Sequence, residues 1–498
     1  MKNFISEPLH RSKILSLVVI AGTLLYVLMR ALTLSFTHDE ALSLLIHAQA
    51  SFLQLFRFDL PLASNANLNT ILMKPIQYLL GYSEIVLRIP ALVGFGFYLT
   101  GILKLLKNTR RGIFFIFALA LMLWHPFLID YFSCARGYSL ALGFFIWGIH
   151  LLLIRHQDPR LKYSVLSAMM FTLAVASHLS FWPVSFSGHL CLLFLEVKSK
   201  RDACNDKSRP FYEKIFLLML SLIFSFLLTL IPTLQMAARD ELYVGGLQGL
   251  WGDTFKSLMN VSVYGNPIPN GLTQWLLILC ALIFLLVLAA IITARIRNKN
   301  FTNSHLPLTY CTRIFILCIL SLSISHQVLG FKYPVERTAI YFIPLFLLML
   351  IYFQNWLISL KIKGIRVLSR SVFMMNILLV FHFMRCMNFT HFYSCTYDAD
   401  TKTMMQDLKE IYSGKTLPQD SVRLGVTWLF EPSVNYYILK DNISWLKWVV
   451  RTGADDYFDY YYLTAEDSGI INKYGLKALN KYSTSKATLA KSIPAKKT

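Results

Sequence analysis

The sequence predicts an all-α polytopic membrane bundle of about eleven transmembrane helices, followed by a small C-terminal α/β extracytoplasmic domain. Three observations lead to this fold class. Of the 498 residues, 55% are hydrophobic and 15% are charged, whereas soluble proteins carry roughly 25% charged residues. Apolar runs of spanning length recur, and none alternates in the way that strands of a membrane barrel do. After residue 387 the composition becomes that of a soluble domain.

The apolar runs, taken with their flanks, define the predicted spans. Backbone inside a bilayer must satisfy its own hydrogen bonds, so each span is predicted to be a helix. The spans are Ile14 to Leu34, Ile85 to Leu103, Gly112 to Ile129, Tyr138 to Ile154, Tyr163 to Ser180, Pro183 to Leu195, Ile215 to Met236, Trp275 to Ala294, Ile314 to Val328, Thr338 to Ile358 and Val372 to Phe383. The sixth and eleventh are short for a full crossing.

Lysine and arginine clusters occupy every second connection between these spans. The clusters are residues 2–13, 104–111, 155–162, 198–214, 295–299 and 361–370. The positive-inside rule therefore predicts a cytoplasmic N-terminus and an extracytoplasmic C-terminal domain. Two long connections then lie outside: residues 35–84, with amphipathic segments expected at the membrane interface, and the turn-rich residues 237–271. Because the formal charge of +21 is dispersed in this way, a nucleic-acid partner is excluded.

The chain divides into a membrane domain, residues 1–387, and a soluble domain, residues 388–498. In the soluble domain, "SVRLGVTWLF" and "DYFDYYYLT" are predicted as strands, and "EPSVNYYILK" and "AEDSGIINKYG" as helices. It contains no phosphate loop, metal-ligand spacing or nucleophile motif. We therefore expect it to assist the acceptor or stabilise the outer loops without supplying catalytic groups. The terminal "KSIPAKKT" is predicted to be disordered.

The stretch "THDEA" places His38, Asp39 and Glu40 side by side where the first span ends. One interpretation is a helix cap, because Thr37 or Asp39 can accept hydrogen bonds from the N-terminus of a following helix. The other is chemical, since ionisable groups at membrane depth usually mark function. The sequence leaves both open at this point.

A set of charged residues at the outer ends of the spans favours the chemical interpretation. Two carboxylates, one lysine and two arginines belong to this set, namely Asp39, Glu40, Lys74, Arg136 and Arg337. A carboxylate can deprotonate an acceptor hydroxyl, while cations neutralise a phosphate that leaves with its negative charge. The combination predicts glycosyl transfer from a lipid phosphate.

Three motifs resemble one family in their order and spacing. They are "THDEA", "SNANLNTILMKPIQYLLGYSEIVLRIPALVG" and "DYFSCARGYSLALG", and "PVERTAIYFIP" is a weaker fourth. Over residues 14–383 the chain resembles the glycosyltransferase C superfamily, nearest to bacterial members of the protein mannosyltransferase (glycosyltransferase family 39-like) and lipid A aminoarabinose transferase branch. Ala66 and Ile76 depart from the histidine and proline common in that branch, so the sugar and the acceptor stay open.

The resemblance implies an inverting transferase in the bacterial inner membrane. Its donor would be a polyprenyl-phosphate-linked sugar, and its acceptor a lipid, a glycan or a protein at the outer face. By position, Asp39 is the catalytic base, with Glu40 supporting it or meeting the acceptor. Arg136, Lys74 and, third, Arg337 would hold the donor phosphate. Residues expected to support the site are His38, Asn67, Asn69, Asp130, Tyr138 and His178.

Three points stay open in this assignment. Asp130 would either bind substrate or pair with Arg136 and orient it. Metal use varies across the superfamily and no histidine or cysteine spacing here requires an ion, so a divalent metal is neither required nor excluded. The alternative function is a polytopic transporter or lipid flippase. That class usually shows internal repeats and charged residues at mid-membrane, and we find neither in the sequence.

Overall fold

The structure is a computed structural model that describes residues 2–60, 67–109, 112–202, 209–242, 244–267, 269, 271–296, 305–360, 363–412 and 421–493. In these ranges, nine helices are long and apolar enough to cross a membrane. A bent pair, Ile113–Leu123 and Pro126–Phe132 at 61°, would make a tenth, and Leu161–Ser177 is a shorter apolar helix. Each predicted span coincides with one of these elements. The predicted polytopic helical bundle is therefore confirmed.

The membrane domain contains seventeen α-helices in its described residues. They are α1 Lys2–Thr33, α2 His38–Leu45, α3 Phe52–Arg57, α4 Asn67–Leu80, α5 Glu84–Leu87, α6 Ile89–Leu106, α7 Ile113–Leu123, α8 Pro126–Phe132, α9 Tyr138–Gln157, α10 Leu161–Ser177, α11 Trp182–Asp202, α12 Arg209–Ala238, α13 Lys256–Val263, α14 Leu272–Ile296, α15 Leu306–Leu329, α16 Phe342–Ser359 and α17 Lys363–Cys386. Short 3₁₀ segments are His47–Gln49, Leu179–Phe181, Glu336–Ala339 and Tyr393–Asp398, and Leu250–Phe255 is a π-helix. The sixth and eleventh spans, α11 and α17, are longer than predicted.

Helices α6 and α9 pack closely through small residues. A Cβ added to Gly94 would lie 2.4 Å from the Leu140 backbone nitrogen, and one added to Gly143 would lie 2.6 Å from the Gly94 carbonyl oxygen. Glycine allows two membrane helices to approach in this way. The contact brings together the outer ends of both helices, where Arg88 precedes α6 and Arg136 precedes α9.

The third span is broken between α7 and α8. Pro126 is the first residue of α8, where its missing N–H costs nothing, and proline keeps His125 before it out of the helical conformation. The break turns α8 by 61° relative to α7. Asp130 on α8 lines the pocket of the candidate site.

The C-terminal domain is a four-stranded mixed sheet with helices. Its elements are α18 Thr401–Tyr412, α19 Glu431–Lys440, α20 Gly469–Lys473, β1 Leu424–Val426, β2 Tyr460–Leu463, β3 Lys477–Lys481 and β4 Thr488–Lys491, with 3₁₀ turns Trp428–Phe430 and Glu466–Ser468. The strand order is β1-β2-β4-β3; β1 and β2 are parallel and the other pairs antiparallel. Strands β1 and β2 and helix α19 lie where the sequence predicts them, and α20 is shorter than predicted.

The sequence prediction missed the two last strands. All five β3 residues are exposed, so β3 lacks the apolar alternation that identifies a strand, and β4 has only four residues. The prediction of disorder from Lys491 onward is wrong at its first residue, because Lys491 pairs with Tyr460 in the sheet. Residues 494–498 of that prediction lie outside the described residues.

The C-terminal domain packs directly on the loop of residues 35–84. The rings of Phe36 and Tyr436 stack with centroids 4.1 Å apart. Glu84 forms ion pairs with Lys440 at 2.6 Å and with Lys402 at 3.0 Å. Residues from α18 and α19 therefore hold both ends of the loop that carries the acidic pair.

Candidate active site

The two residues of the acidic pair have different tasks. Thr37 is the N-cap of α2, with φ −86° and ψ 161°, and Glu40 is the third residue of that helix. The Glu40 carboxylate accepts a hydrogen bond of 2.9 Å from the Thr37 backbone N–H. The capping interpretation therefore applies to Glu40, as in a capping box. Asp39 is free to face other groups.

Asp39 lies between two arginines that come from distant parts of the chain. Arg337 donates a hydrogen bond of 2.9 Å to Asp39 Oδ2. Arg136 Nη1 lies 3.4 Å from the same oxygen and donates a 3.2 Å hydrogen bond to the Asp39 carbonyl. The Asp39 side chain is 17% exposed, compared with 6% for Arg136 and 31% for Arg337. The triad is thus mostly buried but reaches solvent on the Arg337 side.

The electrostatic setting keeps Asp39 ionised. Burial acts to raise the pKa of Asp39, but the positive charges of Arg136 and Arg337 outweigh burial and lower the pKa to about 2. The carboxylate is therefore unprotonated at physiological pH, as a proton acceptor must be. It is a weak base as long as both guanidinium groups face it.

A small pocket opens beside the triad. Six of its lining residues are Thr37, Asp39, Asp130, Arg136, Arg337 and Ser394. They come from the first outer loop, α8, the loop before α9, the segment before α16, and the segment after α17. Two carboxylates, Asp39 and Asp130, and two guanidinium cations therefore border a common space in which a phosphate and a hydroxyl could meet.

Glu40 lies behind the pocket in a fully buried ion pair. Its carboxylate accepts hydrogen bonds of 2.8 Å from Arg88 Nε and Nη2, and one of 2.5 Å from the Ala135 backbone N–H. Arg88 also donates 3.0 Å hydrogen bonds to the Ala31 and Leu34 carbonyls at the end of α1. Glu40 thus ties α2 to α1 and to the loop that carries Arg136. Because Glu40 has no exposed surface, its position favours the predicted supporting role over contact with the acceptor.

Glu40→Gln is expected to destabilise the protein strongly. The change preserves side-chain shape but leaves the Arg88 charge buried without its counter-ion, which costs about 3 to 5 kcal/mol of unfolding free energy in a buried pair. Thermal unfolding of purified protein in detergent measures it. Asp158→Asn is the control, because Asp158 pairs with Arg160 on an exposed surface and its loss should leave unfolding nearly unchanged. Equal unfolding temperatures for both variants would contradict the assignment.

The other predicted phosphate ligand, Lys74, is directed away from the pocket. Its ammonium donates a hydrogen bond to the Ala50 carbonyl and lies 5.3 Å from the centroid of the Phe52 ring. Lys74 is not one of the described residues that line the pocket. The reason is the packing of α4 against the loop residues 47–52, which a motif position in sequence does not reveal. The structure therefore brings Arg136 and Arg337 together at the pocket and does not place Lys74 with them.

The predicted asparagines lie on α4. Asn69 is fully buried and its amide donates a 3.3 Å hydrogen bond to the Ala135 carbonyl, next to Arg136. Asn69 therefore supports the backbone that carries Arg136. Asn67 begins α4, and its side chain lies outside the described part of the structure.

Tyr138 and His178 stack beside the site with ring centroids 3.8 Å apart. Tyr138 is the first residue of α9, two positions after Arg136. His178 Nδ1 accepts a 3.3 Å hydrogen bond from the Ser180 backbone N–H. The two rings thus pack against each other where α9 begins and α10 ends. His38 faces the opposite way, with Nδ1 2.7 Å from the Leu429 carbonyl of the C-terminal domain.

Asp130 has partners other than the predicted Arg136. It accepts hydrogen bonds of 2.5 Å from Arg30, 2.8 Å from the Tyr264 hydroxyl and 2.8 Å from the Tyr393 backbone N–H. It therefore joins α1, α8, the second outer loop and the segment after α17. The option that Asp130 orients Arg136 directly does not hold in this structure.

Asp398 is a buried carboxylate next to the candidate site that has no counterpart among the residues predicted from the sequence. It is fully buried and accepts hydrogen bonds from the His38 backbone N–H at 2.7 Å, the Ser433 hydroxyl at 2.7 Å and the Thr401 hydroxyl at 3.1 Å. Burial raises the pKa of Asp398 to about 7, against the opposing effect of these hydrogen bonds. An aspartate in a soluble segment gives no signal of such a position until the fold brings α2 against it.

No group of three or more histidine, cysteine, aspartate or glutamate side chains in the described ranges has the geometry to hold a metal ion. The charged groups at the pocket are instead two carboxylates, Asp39 and Asp130, and two guanidinium groups. Guanidinium forks are well suited to phosphate oxygens, which they bind through paired hydrogen bonds.

Comparison with known proteins identifies the fold. No family model and no curated protein sequence matches the chain. The crystal structure of ArnT from Cupriavidus metallidurans bound to undecaprenyl phosphate matches with a TM-score of 0.50 and 10% sequence identity, covering 96% of this chain and 98% of that one. The chain has the ArnT fold. The same protein in its apo state gives a TM-score of 0.48 at 10% identity, with coverage of 95% and 97%.

The ArnT fold confirms the fold that the sequence resemblance implied, since ArnT belongs to the aminoarabinose transferase branch. At 10% identity the likeness concerns the fold alone. The chemistry has to be argued from the residues that border the pocket.

Proposed function

We propose that the chain is a membrane glycosyltransferase that moves a sugar from a polyprenyl-phosphate donor to a lipid, glycan or protein acceptor at the outer face of the bacterial inner membrane. The observation that carries this proposal is the Asp39 carboxylate held between Arg136 and Arg337 at the pocket. The ArnT fold supports it, because ArnT is known with undecaprenyl phosphate bound. The Lys and Arg pattern supports the outer location.

In this proposal the donor phosphate forms ion pairs with Arg136 and Arg337, which face Asp39 in the free protein. A phosphate between Arg136 and Arg337 competes with Asp39 for their charge, so the pKa of Asp39 rises from about 2 when the donor binds. Donor binding thus makes Asp39 a stronger base. The acceptor hydroxyl is then activated only when a sugar is in place to receive it, which limits loss of the sugar to water.

Asp39, Arg136 and Arg337 supply the groups that the transfer step needs. Asp39 takes the proton from the acceptor hydroxyl while the oxygen of that hydroxyl forms a bond to the anomeric carbon. The attack comes from the face opposite the phosphate and therefore inverts the configuration at that carbon. The bond between the anomeric carbon and the phosphate oxygen breaks, and the polyprenyl phosphate leaves with the electron pair. Arg136 and Arg337 stabilise the charge that develops on the leaving oxygen. Asp39 ends protonated and returns the proton to solvent.

Mass spectrometry of envelope glycolipids and glycans tests this function. Cells that produce the chain are expected to contain at least one lipid, glycan or protein with an added sugar mass that is missing from cells without it. Cells that produce Asp456→Asn, altered at an exposed carboxylate that pairs with Arg423 at 3.0 Å, are expected to retain the added mass. An identical set of glycoconjugates with and without the chain would contradict the proposal.

A further inference from the structure

The buried carboxylate of Asp398 connects the C-terminal domain to the turn that carries Asp39. Its Oδ2 accepts a 2.7 Å hydrogen bond from the backbone N–H of His38, the first residue of α2. Its Oδ1 accepts from Ser433 on α19 and from Thr401 on α18. One side chain thus joins three elements, and the residue next to its α2 partner is the candidate base.

The contact has a clear physical role at this helix end. The first N–H groups of a helix have no partner inside the helix, and they favour a nearby negative charge. Glu40 accepts from the Thr37 N–H, and Asp398 accepts from the next one, on His38. The hydroxyl of Tyr437 accepts a 2.9 Å hydrogen bond from the Phe36 N–H. The C-terminal domain therefore holds the backbone at residues 36 and 38, immediately before Asp39.

We propose that Asp398 is a positioning residue for transfer, which fixes the first turn of α2, and with it Asp39, against the C-terminal domain. This inference rests on the proposed function, in which Asp39 is the base. Asp398 itself does not line the pocket among the described residues, so it acts through α2. Displacement of a reacting group by about 1 Å can cost on the order of a hundredfold in rate, so a loosened turn should reduce turnover.

The two oxygens of Asp398 make a sharp substitution test possible. In Asp398→Asn the amide oxygen can still accept from the His38 N–H. The amide nitrogen can donate to the hydroxyls of Ser433 and Thr401, which accept as well as donate. Asp398→Ala removes all three hydrogen bonds. A positioning role therefore predicts rescue by asparagine, whereas Asp39→Asn, at the base itself, should not be rescued.

The experiment measures transfer by the purified full chain from a polyprenyl-phosphate sugar. Asp398→Ala is expected to lower kcat by about tenfold or more, with the KM for donor little changed because Arg136 and Arg337 do not contact Asp398. Asp398→Asn is expected to stay within about twofold of wild type. Asp398→Ser, which is too short to reach the His38 amide, should reproduce the loss and serves if the alanine variant does not fold.

Asp400→Ala is the matched control. Asp400 lies two residues further on and also accepts two hydrogen bonds, from the Ser485 backbone N–H and hydroxyl at 2.8 Å, but both stay within the C-terminal domain. Its loss should lower thermal stability and leave kcat unchanged. Hydrogen exchange in substrate-free protein adds a readout independent of activity: amides of residues 36–44 should exchange faster in Asp398→Ala and not in Asp400→Ala.

The outcomes separate this inference from the proposed function. Transfer by wild type together with unchanged kcat and unchanged exchange in Asp398→Ala would overturn the role of Asp398 and leave the function standing. A kcat loss of equal size in Asp400→Ala would also overturn it, because any damage to the domain would then suffice. Absence of transfer by wild type would overturn the function and the positioning role together.

Discussion

Asp39→Asn is expected to lower kcat for glycosyl transfer by about a hundredfold or more, because it removes the oxygen that accepts the proton while preserving side-chain shape. Donor binding should persist or tighten. The reason is that Arg136 and Arg337 are neutralised by Asp39 in the free protein, and asparagine releases both charges to the phosphate. A fall in kcat without a rise in donor KM distinguishes a lost base from a lost binding group.

The measurement is steady-state transfer by purified variants from a polyprenyl-phosphate sugar. Asp456→Asn is the control, since it removes an equally charged but exposed carboxylate in the C-terminal domain. If Asp39 served only as a helix start, Asp39→Asn would transfer sugar nearly as fast as wild type. That result would contradict the role of Asp39 and leave the fold assignment intact.

The pH dependence gives the same prediction a second form. Protonation of Asp39 at low pH removes the base, and in the donor-free protein this occurs only near its pKa of about 2. A bound phosphate draws away the charge of the arginines, so the pKa is higher in the donor complex. The acidic limb of kcat, which reports the complex, is therefore expected at higher pH than that of kcat/KM.

Arg136→Ala and Arg337→Ala are each expected to raise the donor KM and to lower kcat by about a hundredfold, the usual cost of removing one group that stabilises developing charge. The Arg136 side chain is 6% exposed and that of Arg337 is 31% exposed. Since water screens the more exposed charge, the Arg136 variant should show the larger loss. Loss of either charge also raises the pKa of Asp39 and so makes it a stronger base. The lower rate is therefore due to weaker stabilisation of the leaving phosphate, not to a weaker base.

Two further variants complete the arginine test. Arg136→Lys retains one charge without the planar fork and should recover part of the rate. Arg423→Ala is the control, since Arg423 pairs with Asp456 at 3.0 Å on the surface of the C-terminal domain, and it should leave donor KM unchanged. Unchanged donor KM in both Arg136→Ala and Arg337→Ala would contradict a phosphate site between them.

The fold was largely predictable because the bilayer restricts the backbone conformations that can cross it. Backbone in lipid must form helices, so apolar length alone located elements such as α12 and α14. The same criterion is weaker for the short strands, the exposed β3 and the largely buried β4, which depend on partners elsewhere in the domain. Apolar length also cannot predict that Pro126 divides the third span. This break places Asp130 where Arg30 and Tyr264 donate hydrogen bonds to its carboxylate.

The site was predictable only in part. Asp39, Arg136 and Arg337 were found through motifs at span ends, and the structure brings them together across 298 residues of sequence. Position at a span end does not define the direction of a side chain, so the sequence does not reveal that the Lys74 ammonium contacts the Ala50 carbonyl. The contacts of Asp398 depend on docking of the C-terminal domain on α2 and have no local sequence pattern.

The most direct test of the central claim is an experimental structure of the chain with undecaprenyl phosphate. Phosphate oxygens are expected within about 2.7 to 3.0 Å of the guanidinium nitrogens of both Arg136 and Arg337, the length of charge-assisted hydrogen bonds. The contacts from Asp39 to these arginines are also expected to lengthen when the lipid is bound. A phosphate bound away from both arginines, with the Asp39 contacts unchanged at 2.9 and 3.4 Å, would contradict the account.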